Sequence, residues 1–150
     1  MSAWMKKLHP KDALSLGFLY TVVAVVLQQI EVIFTMSYYT DPSLAGLWSK
    51  TMMPSAGPPP FAFFVQSVLF TFATGVTLAA VFEFMKPLFG KSYWARVIGF
   101  TDIMVGLMIV FGFFPMYLLL NIPLGLIVWW FVTGWITVFI AAMIFAKRLK

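Results

Sequence analysis

Between residues 97 and 146 the chain carries a single charged side chain, Asp102. The stretches 13–36 and 61–85 hold one each, Glu31 and Glu83. Runs this long and this apolar cannot all be covered by a core built from the same chain. The whole sequence is 62% hydrophobic and only 10% charged, where a soluble domain carries about 25% charge and roughly 45–50% apolar residues. Hydrocarbon rather than water is therefore the expected solvent, and the lipid bilayer the first expected partner.

A span needs about 20 apolar residues at about 1.5 Å each. The run after Arg96 is too long for one helix, and Pro115 and the Asn121-Ile122-Pro123 triplet are placed to break it. Asn121 can cap a helix in which the early Pro123 lacks only a donor that would be unpaired anyway. The expected spans are 13–36, 61–85, 97–117 and 122–146. The fold class is all-α: a polytopic, four-transmembrane-helix up-down bundle forming one domain over residues 1–150. Such a bundle satisfies each backbone group within its own helix, as lipid demands. The apolar run 13–36 exceeds a signal peptide's, and Ser43-Leu44-Ala45 lies past its end, so an uncleaved anchor is expected.

Orientation follows from lysine and arginine. Lys6, Lys7 and Lys11 precede the first span, Lys86, Lys91 and Arg96 lie between the second and third, and Lys147, Arg148 and Lys150 follow the fourth. Only Lys50 falls in another connection. The excess of cytoplasmic positive charge seen in multi-pass proteins then puts both ends in the cytoplasm (N-in, C-in) and the chain in a cell membrane, inner or plasma. The same flanking positions match contacts with anionic lipid, so the net charge of +5 does not point to nucleic acid. In the outer loop, 37–60, Asp41-Pro42 reads as a cap followed by proline at the first helical position. Leu44, Leu47, Trp48 and Met52 follow at helical spacing, as in a short interfacial helix that Pro54 and Pro58-Pro59-Pro60 would end.

Close approach of helices in lipid is marked by small residues. Ser67, Thr71, Gly75 and Ala79 recur every four residues in the second span, Thr133, Thr137 and Ala141 in the fourth, and Gly99, Asp102 and Gly106 share a face of the third. In the first span Thr21, Ala24, Gln28, Glu31 and Thr35 lie along one side, a polar stripe expected to face the bundle interior.

The chain has no cysteine and one histidine, His9 in the basic tail. That excludes disulfides, thiolate nucleophiles, iron–sulfur clusters and histidine-rich sites, and no metal or cofactor is expected. Glu31, with Gln28, Gln66, Trp129 and Trp130 at similar depth, is the candidate for an outward-facing polar and aromatic pocket. Desolvation there favours a protonated or cation-paired carboxyl. Glu83, Lys86, Arg96 and Asp102 form a candidate charge network at the cytoplasmic side. Roughly 15 Å of a core about 30 Å thick separates Glu31 from Asp102 with no charged side chain between, which argues against a carboxylate relay. Lacking an arginine row, the chain is not a voltage sensor. Glu83 with Asp102 is the only same-side carboxylate pair and has no phosphate-binding motif beside it, so an enzyme is not the expected class. An accessory or structural membrane protein, or a subunit of a membrane complex or homo-oligomer, requires nothing the sequence lacks and is the leading reading. The alternative is a small transporter or channel for a cation or proton-coupled substrate using Glu31. Glu31-Val32 loosely resembles the first-helix glutamate of the small multidrug resistance transporters, four-helix antiporters of cationic compounds. The resemblance covers about Tyr20 to Thr35; in that family the glutamate lies nearer mid-membrane, the chain is shorter and the first loop is brief.

Overall fold

The computed structural model describes residues 8–47 and 61–149. Its helix α1, Pro10–Thr40, opens with His9 as cap, whose Nδ1 accepts from the Lys11 amide at 3.3 Å, and with proline at the first helical position. It stops at Asp41, which is extended (φ −69°, ψ 117°), because a residue preceding proline is pushed out of the helical region. The Asp41 carboxylate accepts from the Ser43 amide at 2.8 Å and the Ser43 hydroxyl at 2.7 Å, and starts a 3₁₀ turn, Pro42–Leu44, followed by the helical turn Ala45–Leu47. The two Ser43 bonds hold this carboxyl below its ordinary range. The cap expected at Asp41-Pro42 is thus present; Trp48, Met52, Pro54 and the triple proline lie outside the described residues.

Helix α2, Phe61–Met85, leads through the 3₁₀ turn Lys86–Leu88 to α3, Tyr93–Leu119. Ser92 caps α3, its Oγ accepting from the Ala95 amide at 3.1 Å. Pro115 does not break this helix, contrary to the sequence expectation. Its missing N–H and crowding ring disturb the preceding turn, and the chain absorbs the defect in a π-helical segment, Ile109–Phe113, where the Phe114 amide reaches back to the Ile109 carbonyl. Asn121 is also not the cap of the last helix, α4, Leu124–Arg148. Ile122 precedes proline and its amide bonds the Leu120 carbonyl at 2.8 Å, so helix cannot begin there. Pro123 takes the cap position, its carbonyl accepting from Leu126 and Ile127. Lys147 and Arg148 sit in the last turn of α4, where the helix dipole favours positive charge.

All four helices are long and apolar enough to cross a membrane. The largest contacts join α1 to α2, α1 to α4 and α3 to α4. The main core lies toward the end of the bundle where the described chain begins and finishes: Leu16 from α1, Ala79 and Phe82 from α2, Val97 and Phe100 from α3, and Ala141 and Phe145 from α4. The rings of Phe82, Phe100 and Phe145, all fully buried, meet edge-on with centroids 5.1, 5.8 and 6.4 Å apart, an arrangement that aromatic quadrupoles favour. A second cluster, Ile122, Leu126 and Ile127 with Tyr38 and Phe113 beside it, ties α1, α3 and α4 at the opposite end.

The α1–α2 contact depends on two glycines. A Cβ placed on Gly17 would fall 2.5 Å from a Val76 methyl, and one on Gly75 would fall 2.7 Å from the Tyr20 Cβ. Gly75 and Ala79 of the small-residue stripe are therefore interface positions. Thr71 is half-buried and Ser67 exposed, because α2 leans away from the bundle in its first half. Outside, large apolar side chains stand exposed on every helix, among them Phe18 and Ile33 on α1, Phe70 on α2, Phe111 and Leu118 on α3, and Leu124 and Val128 on α4.

Candidate functional site

The divergence of α2 opens a cavity of about 830 Å³ between α1, α2 and α4, with Met108 of α3 on one wall. Sequence periodicity positions its back wall. Along α1 the stripe Thr21, Ala24, Glu31 and Thr35 is buried, while Gln28 stands exposed within the cavity. Glu31 is only 8% exposed and is the one charged side chain among the described residues that line the space. The Thr35 hydroxyl lies 3.0 Å from the Glu31 carbonyl and 3.4 Å from its Oε1. Trp130 and Tyr39 are its other polar neighbours; the indole N–H donates to the Tyr39 hydroxyl at 3.1 Å.

Three of the four threonines lining the cavity present acceptor oxygens to it. Thr71, Thr74 and Thr137 each donate their hydroxyl proton to the carbonyl four residues back, at 2.8, 2.9 and 2.7 Å. A hydroxyl used in this way keeps only acceptor lone pairs for its surroundings. The lining therefore offers a carboxyl group, these acceptor oxygens and the aromatic residues Phe63, Phe70 and Trp130, with the amides of Gln28, Gln29 and Gln66 and the hydroxyls of Tyr20, Tyr39, Ser67 and Thr133 able to serve in either sense. A carboxylate, oxygen lone pairs and aromatic faces all attract positive charge.

Of the residues expected in a polar pocket, the structure brings together Gln28, Glu31, Gln66 and Trp130. Trp129 is elsewhere: it stacks on Phe34, centroids 5.3 Å apart and planes within 6°, on the outside of the α1–α4 contact. Trp129 lies about 100° round α4 from Trp130, and that turn carries it onto Phe34 instead of the cavity wall. Sequence reasoning missed Tyr20 and Tyr39. The signal was there, because Tyr20, Ala24 and Gln28, and again Glu31, Thr35 and Tyr39, follow four-residue steps along the stripe.

The four residues of the expected charge network are not gathered. Lys86 pairs with Glu83 at 2.8 Å and also donates to the Leu149 carbonyl at 3.4 Å, tying α2 to the end of α4. Among the described residues no ion pair includes Arg96 or Asp102, and the Arg96 Nε is buried without a partner. Asp102 stands exposed on α3. No group of histidine, cysteine, aspartate or glutamate among the described residues has the spacing to hold a metal ion. Comparison with known protein families, curated proteins and solved structures finds no match for this chain.

Proposed function

We propose that this chain is a four-span integral membrane protein with both ends in the cytoplasm, and that it takes up a lipophilic organic cation from the outer side into the cavity beside Glu31, as a small transporter. The observation that carries this reading is the nearly buried carboxyl of Glu31, the one charged side chain among the described residues that line a large cavity. Transport rather than simple binding is favoured by the shape. The cavity lies toward one end of the bundle, and the Phe82–Phe100–Phe145 cluster closes the other. A protein with an open and a closed end needs only to exchange the two to move a ligand. The accessory-subunit reading draws on a different observation, the exposed Asp102 face of α3.

Two measurements test the proposal. The cysteine-free sequence allows single cysteines to report sidedness. An impermeant thiol reagent applied to intact cells should label Asn121→Cys, and should label Lys91→Cys only after permeabilisation; the opposite pattern would reverse the orientation. In lipid nanodiscs, tetraphenylphosphonium should quench tryptophan fluorescence saturably, while an isosteric neutral compound should not. Equal responses to both would dismiss a cation site.

A further inference from the structure

The carboxylate of Asp102 is in an unusual place. Helix α3 packs through Val97, Phe100, Thr101 and Met104, and at about 100° per residue Ala95, Asp102 and Gly106 fall on the opposite side. Asp102 is exposed there, between exposed Ile98 and Ile103. A Cβ added to Gly106 would meet nothing within 4 Å, so the backbone is bare one turn beyond the carboxylate. Tyr93 and Trp94, in edge-on contact at the start of the helix, fit the interfacial level where such rings sit. Asp102 is then about 12 Å deeper by helical rise, beyond the reach of a short side chain back to water. A charged group facing hydrocarbon at that depth is costly unless paired.

We infer that this face of α3 docks a transmembrane helix of another protein that carries a lysine or arginine at the depth of Asp102, with Gly106 as the notch that admits its backbone. The inference rests on the membrane reading above but not on the Glu31 site. Charge complementarity selects the occupant. The face bears an acid and no base, so a second copy docked through it would set two carboxylates at one depth. A basic residue from a partner would neutralise Asp102 and be neutralised in turn.

The test uses the full chain, fluorescently labelled, in lipid vesicles with synthetic transmembrane helices as probes. One probe is a leucine–alanine helix with a single lysine at the matching depth; the other has leucine in its place. Energy transfer should show at least tenfold tighter association of the lysine helix. Asp102→Asn should remove that preference, and Asp102→Lys should transfer it to an aspartate-bearing helix. Gly106→Leu should weaken association with Asp102 intact, whereas Glu31→Gln should leave the preference unchanged, separating this face from the cavity. Equal binding of both probes would overturn the inference. So would energy transfer between two copies of the chain that disappears in Asp102→Asn, which would name a second copy as the occupant. Release of the chain from vesicles by alkaline carbonate would instead sink the membrane reading beneath it.

Discussion

Glu31→Gln should weaken tetraphenylphosphonium binding by about 30- to 1,000-fold, the equivalent of about 2–4 kcal/mol for deleting one charge of a desolvated pair. Glutamine keeps the size and the hydrogen-bonding reach of glutamate, so Thr35, Tyr39 and Trp130 retain a polar neighbour. What is lost is the negative charge, and with it the only counter-ion among the described lining residues. Wild-type affinity should also rise with pH, because the cation and a proton compete for the same carboxyl, and this dependence should vanish in Glu31→Gln. Among the described residues, the other titratable groups around the space are the phenols of Tyr20 and Tyr39 on α1. Those of α2, α3 and α4 that face it are amides, hydroxyls, Met108 and Trp130, none of which titrates near neutrality. A variant that binds the cation as tightly as the parent, with the same pH profile, would remove Glu31 from the site and the proposal with it.

How much of this could be read from the sequence follows from what each feature depends on. That there are four long apolar helices was legible because each rests on a local property, a run of apolar residues. The ends were less so, since α1 runs on from the expected 13–36 to Pro10 and Thr40 and α4 begins at Leu124, where Asp41-Pro42 and Ile122-Pro123 set the limits. Pro115 and Asn121 were misjudged for a local reason of a different kind. A proline either ends a helix or is absorbed in a π turn, and only the surrounding packing decides between them. The polar stripe of α1 was legible through its period, so Glu31 and Gln28 were found. Which of Trp129 and Trp130 accompanied them was not, because that depends on the rotation of α4 against α1, set by contacts such as Tyr38 against Gly125. The four charged residues near the second connection were grouped by depth alone. Depth carries no information about azimuth: Asp102 stands exposed on α3, while Glu83 and Lys86 pair with each other. Likewise Ser67 to Ala79 is one stripe in sequence, yet it serves as interface at Gly75 and as cavity wall at Thr71, because the helix diverges from its neighbours between them.

Gly75→Ala should destabilise the bundle by about 1–3 kcal/mol, as forced overpacking does, although alanine is the better helix former by roughly 1 kcal/mol. The new methyl would sit 2.7 Å from the Tyr20 Cβ and 2.8 Å from its Cδ1. The first of these neighbours is fixed to the α1 backbone and cannot swing aside, so relief requires the two helices to separate. In lipid there is no hydrophobic drive to hold them together, and association depends on the van der Waals contact that separation would forfeit. The clash also makes a specific demand on the compensating change. Tyr20→Ala removes the ring but leaves its Cβ in place, whereas Tyr20→Gly removes both. In a double-mutant cycle, read by unfolding in mild detergent or by steric trapping in bilayers, the coupling of Gly75→Ala to Tyr20→Gly should therefore exceed its coupling to Tyr20→Ala. Equal coupling would place the strain on the ring alone, and no coupling in either cycle would mean that α1 and α2 do not approach at Gly75. Because Tyr20 also lines the cavity, the same variants should move cation affinity. Stability should follow the Cβ and binding should follow the ring, so the two roles of this one side chain can be measured apart.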